Sequence, residues 1–284
     1  MTKFAVLVAC LAMAWADPGR AQTPLERGTY LERSIMNCGN CHTPKGPTGP
    51  VMEKELAGGF EIPLPFGIAR TANITPDKET GIGNWTDEQI ITAIRHGVRA
   101  DGTPIGPPMP IEFYQRMSDD DVKAIVAYLR SVKPVSNKVA KSEYKIPLHA
   151  PPGPPPSNVT APPRSDKVAY GGYLAGPVAH CMDCHTPLDK GRRDMSRMGS
   201  GGFEMDAPGG GVVTTPNLTP DPETGIGKWS DADIKRAVRE GVRPNGAKLV
   251  PIMAFGAYRN MSEDDLDAII AFLRSLKPIK TAAR

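Results

Sequence analysis

The chain has little of what would tie an ordinary fold together. It holds only 5 cysteines in 284 residues. Cys10 lies in an apolar N-terminal stretch, and the other four fall in two identical patterns, so no thiol is left over for a disulfide. Aromatic residues make up 6% of the chain, which leaves a lean apolar core. No basic run or aromatic–basic stripe accompanies the formal charge of +3, and this excludes a nucleic-acid footprint. After the N-terminus no apolar run is long enough to span a membrane. There is also no nucleophile triad, phosphate-cradling loop or acid/base carboxylate pair to suggest hydrolytic or phosphoryl chemistry. Glycine (29) and proline (30), by contrast, approach a fifth of the residues, so short helices and extensive loops are expected.

Residues 1–21 read as a signal peptide rather than as part of the fold. Lys3 supplies a short positive segment and Phe4 to Trp15 an apolar one. Ala14-Trp15-Ala16 is a small-residue cleavage site, with Gly19-Arg20-Ala21 a second candidate. Leu7-Val8-Ala9-Cys10 looks superficially like a lipoprotein box, but it sits before the apolar segment ends.

Two five-residue stretches organise the rest: Cys38-Gly39-Asn40-Cys41-His42 and Cys181-Met182-Asp183-Cys184-His185. C-x-x-C-H is the attachment pattern for haem c. Thiols three residues apart on one helical turn can each add to a vinyl group of the same porphyrin, and the adjacent imidazole then lies under the ring, where it can bind iron. A zinc knuckle is the competing reading, but zinc needs about four N/S ligands and neither copy has a second Cys/His pair nearby. A redox C-x-x-C is the other bland alternative. The expectation is therefore two haems c, attached at Cys38, Cys41, Cys181 and Cys184, with His42 and His185 on the irons. His96, His149 and His180 lie outside the motifs and read as surface or satisfied histidines.

The motifs belong to a tandem duplication with an offset of about 143 residues. NITPDKETGIGNWTDEQI (73–90) repeats as NLTPDPETGIGKWSDADI (217–234), identical at 12 of 18 positions, a period far too long for a solenoid. Each copy is expected to begin with a helix, the first capped by Thr23-Pro24-Leu25-Glu26. A second helix starts at Thr86 or Ser230 and stops at Gly97 or Gly241. A last helix runs from Ser118 to about Val132, and from Ser262 to about Leu276. Its apolar positions recur at helical spacing, and Pro134 or Pro278 ends it. Residues 137–164, dense in proline, cannot make a helix or an inner strand and read as a semi-rigid strut or strap. This gives modules 22–136 and 165–284 around a linker, in a mainly α chain.

Each module resembles a class I cytochrome c: a helix leading to the haem motif, loops, a methionine ligand, and a last helix packed back on the first. The resemblance implies a close crossing at the small Gly28 and Gly171, with Tyr30 near Tyr128 and Tyr173 near Phe272. It also implies a sixth ligand. Met109, in Gly-Pro-Pro-Met-Pro, and Met253, in Val-Pro-Ile-Met-Ala, are the candidates, at 67 and 68 residues after the motif histidines. The competing Met117 and Met261 directly precede helix caps, where a hydrophobic staple is the simpler role. Trp85, Arg99, Trp229 and Arg243 are candidates for haem propionate contacts, against ordinary packing or a solvated face.

The N-x-T-P-D-x-E-T-G-I-G-x-W segment, with C-x-x-C-H and a later methionine, resembles the cytochrome c subunits of bacterial alcohol, gluconate and aldehyde dehydrogenases. That family implies a periplasmic carrier taking electrons from a dehydrogenase catalytic subunit and passing them to a small cytochrome, an oxidase or a quinone-linked acceptor. Its members usually have three haem modules and associate with membranes, so peripheral membrane attachment stays open for a chain with two. A dihaem enzyme of peroxidase or thiosulfate dehydrogenase type is the alternative. It calls for a labile haem face or a cysteine ligand.

Overall fold

The computed structural model describes residues 22–47, 49–207 and 210–282. The expected signal peptide lies outside them. Helix α1 (Pro24–Leu31) opens on the expected capping box: Thr23 Oγ1 accepts from Glu26 N–H at 3.2 Å, and the Glu26 carboxylate accepts from Thr23 N–H at 2.8 Å. The helix continues as a π-helical segment over Glu32–Met36 and ends where Asn37 turns left-handed at φ 47°. The haem motif therefore does not terminate α1, as the sequence suggested. It occupies a separate turn, α2 (Gly39–His42). In the second copy α6 (Lys167–Tyr173) runs into Leu174–Val178, His180 turns left-handed at φ 46°, and α7 (Cys181–Cys184) carries the motif. The break re-aims the chain so that both thiols and the histidine stand on one separate turn.

Between these lie α3 (Asp87–His96), α4 (Ile111–Tyr114) and α5 (Asp119–Ser131). The second copy repeats them as α8 (Asp231–Glu240), α9 (Phe255–Tyr258) and α10 (Glu263–Ser275). Gly97 and Gly241 end α3 and α8 at φ 67°, a left-handed cap that costs glycine no Cβ clash. The short α4 and α9 were not visible in the pattern, because four residues are too few to show a period.

Helix α1 crosses α5, and α6 crosses α10, at the glycines expected. A Cβ built on Gly28 would lie 1.9 Å from the Ala124 carbonyl oxygen, and one on Gly171 1.8 Å from that of Ala268. The tyrosine hydroxyls, however, leave their own crossings. Tyr30 O–H donates to Asp265 at 2.7 Å and accepts from Ser262 N–H at 3.0 Å, at the start of α10 in the other module. Tyr173 O–H donates to Asp121 at 2.6 Å and accepts from Ser118 N–H at 3.2 Å, at the start of α5. Each tyrosine thus helps cap the partner module's last helix, where orphan N–H groups need acceptors. The 32–36 segment packs on α9 and the 174–178 segment on α4, so the exchange is reciprocal. One hydrophobic cluster runs through both modules, from Leu31 and Ile125 to Leu174 and Leu266.

The fold is only partly α. Among the described residues four small antiparallel sheets line the loops. Residues 137–164 hold no helix, and Glu143–Tyr144 pairs with Gly67–Ile68 at the edge of the sheet formed by 61–64 and 67–70. Farther along, Val159 O accepts from Asp119 N–H at 2.9 Å, over the start of α5. No helix of the described residues is long and apolar enough to cross a membrane.

Candidate haem sites

On α2 the turn is closed by His42 N–H donating to Cys38 O at 2.9 Å, which puts both thiols and the imidazole on adjacent positions of one helical turn. The same bond recurs from His185 to Cys181 at 2.9 Å. All four cysteines, Cys38, Cys41, Cys181 and Cys184, are free thiols. Burial raises all of them: Cys181 to about 11, Cys184 to about 12 with Asp183 adding to the effect, and Cys38 and Cys41 upward as well. A redox C-x-x-C needs the opposite, a thiol pushed down. Among the described residues no group of three or more His, Cys, Asp or Glu side chains is gathered to hold a bare metal ion.

Each motif histidine has one nitrogen committed. His42 Nδ1–H donates to Ala72 O at 2.7 Å, and His185 Nδ1–H donates to Pro216 O at 2.9 Å. A carbonyl can only accept, so the tautomer is fixed and Nε2 carries the free lone pair. Burial lowers the pKa of both rings, which keeps them neutral. A neutral imidazole oriented by a backbone carbonyl is how ligating histidines are usually held. The carbonyls lie 30 and 31 residues downstream, just before the repeated segment, and nothing in the sequence named them.

That segment is a hydrogen-bonded knot rather than a binding loop. Asn73 is buried; its side chain donates to Thr80 Oγ1 at 3.0 Å and Val135 O at 2.8 Å, and it accepts from Thr75 N–H at 3.0 Å and Thr75 O–H at 2.7 Å. Asn217 repeats the set with Thr224, Ile279 and Thr219. Asp77 accepts from Thr80 N–H at 2.7 Å and Thr80 O–H at 2.7 Å, which holds its carboxyl below the usual range. The knot fixes the exit of the last helix against the segment that follows Ala72. Arg130, overlooked in the sequence, closes it by donating to the carbonyls of Ile82 and Trp85, and Arg274 does the same at Ile226 and Trp229. An arginine at the same place in both copies was the signal that could have found it.

Met109 and Met253 are half-buried against the core, each in the loop that leads into α4 or α9. Met117 and Met261 are buried in the cluster, at 0% and 3% exposure, immediately before the caps Ser118 and Ser262. Trp85 and Trp229 pack partly buried on the core. Arg99 donates within its own turn to Pro104 O at 2.5 Å, whereas Arg243 is exposed, so the two arginines do not share one environment. Of the other histidines, His149 is exposed, His96 is buried, and His180 stands edge-on to Tyr114 with centroids 5.8 Å apart. Tyr114, at the end of α4, thereby faces the second motif from the first module.

These residues fit a covalently held haem in each module. Paired free thiols on one turn, and an imidazole with its Nδ1 anchored on a backbone carbonyl, occur twice in the same geometry. The cytochrome c family matches residues 32–133 and 174–277. The chain is 32% identical to the cytochrome c subunit of a quinone-type alcohol dehydrogenase from Gluconacetobacter polyoxogenes, over 93% of this chain and 59% of that one. It is 34% identical to the fructose dehydrogenase cytochrome subunit of Gluconobacter japonicus, over 91% of this chain and 54% of the relative. It thus spans little more than half the length of these relatives. A diheme cytochrome c-type protein of Cereibacter sphaeroides is 27% identical, over 97% of this chain and 96% of its own.

Proposed function

Since this chain belongs to the cytochrome c family through both of its modules, we propose that it carries two covalent haems c and relays electrons from a dehydrogenase catalytic subunit to a downstream respiratory acceptor in the bacterial periplasm. Cys38 and Cys41, and Cys181 and Cys184, would hold the two groups, with His42 and His185 offering Nε2 to the irons and Met109 and Met253 a thioether. Each haem, when bound, supplies a one-electron iron couple, and filling both axial positions with His and Met favours transfer without bond-making. The chain's own residues do the rest. Ala72 O and Pro216 O orient the imidazoles. The apolar cluster excludes water, and the Tyr30 and Tyr173 bonds hold the two modules at one separation.

The observation that carries this reading is the twofold His Nδ1–carbonyl anchor beside paired free thiols. Acceptors of the kind expected are a small cytochrome, an oxidase or a quinone-linked complex. Two measurements test the reading. The intact mass should exceed that of the polypeptide by two haems that acid–acetone does not extract, and the protein should be reduced by a dehydrogenase yet show no turnover with peroxide, thiosulfate or alcohol alone. Haem lost into acetone, or a high-spin resting haem that binds cyanide rapidly, would refute it.

A further inference from the structure

We propose that residues 141–145 of the proline-rich segment are a strap that positions the Met109 loop, with Tyr144 as the tie. The proposal rests on the reading of Met109 as an axial ligand.

The strap is fixed at several points. Glu143 and Tyr144 pair with Ile68 and Gly67. Arg70 N–H donates to Ser142 Oγ at 2.9 Å, and its guanidinium donates to Lys141 O at 2.6 Å and Glu143 at 2.8 Å. Lys145 N–H donates to Phe66 O at 2.8 Å, and the Phe66 ring stacks on Tyr144 with centroids 6.5 Å apart. Phe66 thereby backs the Tyr144 ring on one side. The Tyr144 O–H donates to Pro107 O at 2.7 Å, two residues before Met109. The same ring lies flat against Gly106: a Cβ there would be 2.6 Å from its Cζ, so only glycine lets the strap this close. A strap residue thus makes direct contact with the Met109 loop on the side opposite its entry into α4.

The second module repeats the hairpin. Glu204–Asp206 pairs with Val212–Thr214, and among the described residues no third strand joins them. Val250 stands where Gly106 stands in the first copy and is 40% exposed. Opening the Met109 loop breaks the Tyr144 contacts, which lie at Gly106 and Pro107 and not on the Met253 loop. An incoming ligand must wait for that opening, so its apparent affinity scales with the open fraction.

Holoprotein variants Met253→His and Met109→His each leave a single Met-to-iron absorption band, from the first and the second module respectively. Imidazole titration of that band reads the opening of one loop at a time. Tyr144→Phe should raise imidazole affinity about two- to tenfold in the Met253→His protein, the range of one net hydrogen bond. It should leave the Met109→His protein unchanged. No change in either, or an equal rise in both, overturns the strap. Should Tyr144→Phe yield no holoprotein, Ser142→Ala, which frees one strap contact farther from the loop, is titrated the same way with the same expectation. If Met109→His leaves the band at full amplitude, the ligand assignment has failed instead, and the two failures stay distinct.

Discussion

Gly28→Ala places one methyl group where the structure has none to spare. The added Cβ would sit 1.9 Å from the Ala124 carbonyl oxygen and 2.6 Å from its carbon, both backbone atoms of α5. A side chain could swing aside, but a helix carbonyl cannot, so α1 and α5 must separate by more than an ångström. Overpacking of this kind costs about 1–3 kcal/mol, and a backbone obstacle puts it at the upper end. Alanine returns about 0.5–1 kcal/mol of helix propensity. The net loss should be about 2 kcal/mol, or roughly 4–8 °C in Tm for a chain of this size. Gly171→Ala should match it, because its Cβ would lie 1.8 Å from Ala268 O. Gly256→Ala is the control: it lies in α9 with nothing within 4 Å of a built Cβ, and should be neutral or slightly stabilising. Denaturant unfolding of the three holoproteins, followed by far-UV circular dichroism and Soret absorbance, checks this. A Gly28→Ala protein within about 0.5 kcal/mol of the parent would refute the crossing as drawn, since that is the scatter of an ordinary surface change.

Asn73→Ala deletes four hydrogen bonds of a buried side chain and takes the acceptor from the buried Thr75 N–H; stability should fall by about 2–4 kcal/mol, measured by urea unfolding, and Asn217→Ala should do the same in the second module. Replacing Met109 or Met253 with His should lower one haem potential each in a spectroelectrochemical titration, whereas Met117→Leu and Met261→Leu should leave both potentials in place and cost under about 1.5 kcal/mol. Tyr30 is held up to about 12 from 10.0, by burial first and then by Asp265. A raised folded-state pKa contributes stability that is complete below pH 10 and lost as pH climbs toward 12. Stability of the parent should therefore fall across that window, and Tyr30→Phe should fall less steeply in urea midpoints taken at each pH; equal slopes would contradict the burial of the Tyr30 hydroxyl between the modules.

While the glycines at the crossings followed from the likeness to class I cytochromes c, the sequence by itself determined the two motifs, the duplication and the capped helices. Each of these is local chemistry or a spacing: two thiols on a turn, Thr86 facing Gln89, an apolar row at helical period in α5. It also singled out the repeated 73–90 and 217–234 segments without saying what they do, because their partners, Val135 and Ile279, lie 62 residues away along the chain. Only the tertiary structure decided which carbonyls orient His42 and His185. Only it showed that Asn37 and His180 break the first helix of each module before the motif. It moved the Tyr30 and Tyr173 hydroxyls from their own helix crossings to the caps of the other module, an exchange that no pairwise pattern within one repeat can encode. The same holds for Tyr144, whose reach to Pro107 depends on where a proline-rich segment is laid down. Periodicity and motif spacing report what a residue does within a few neighbours, whereas a hydrogen bond closed across tens of residues exists only once the chain has packed.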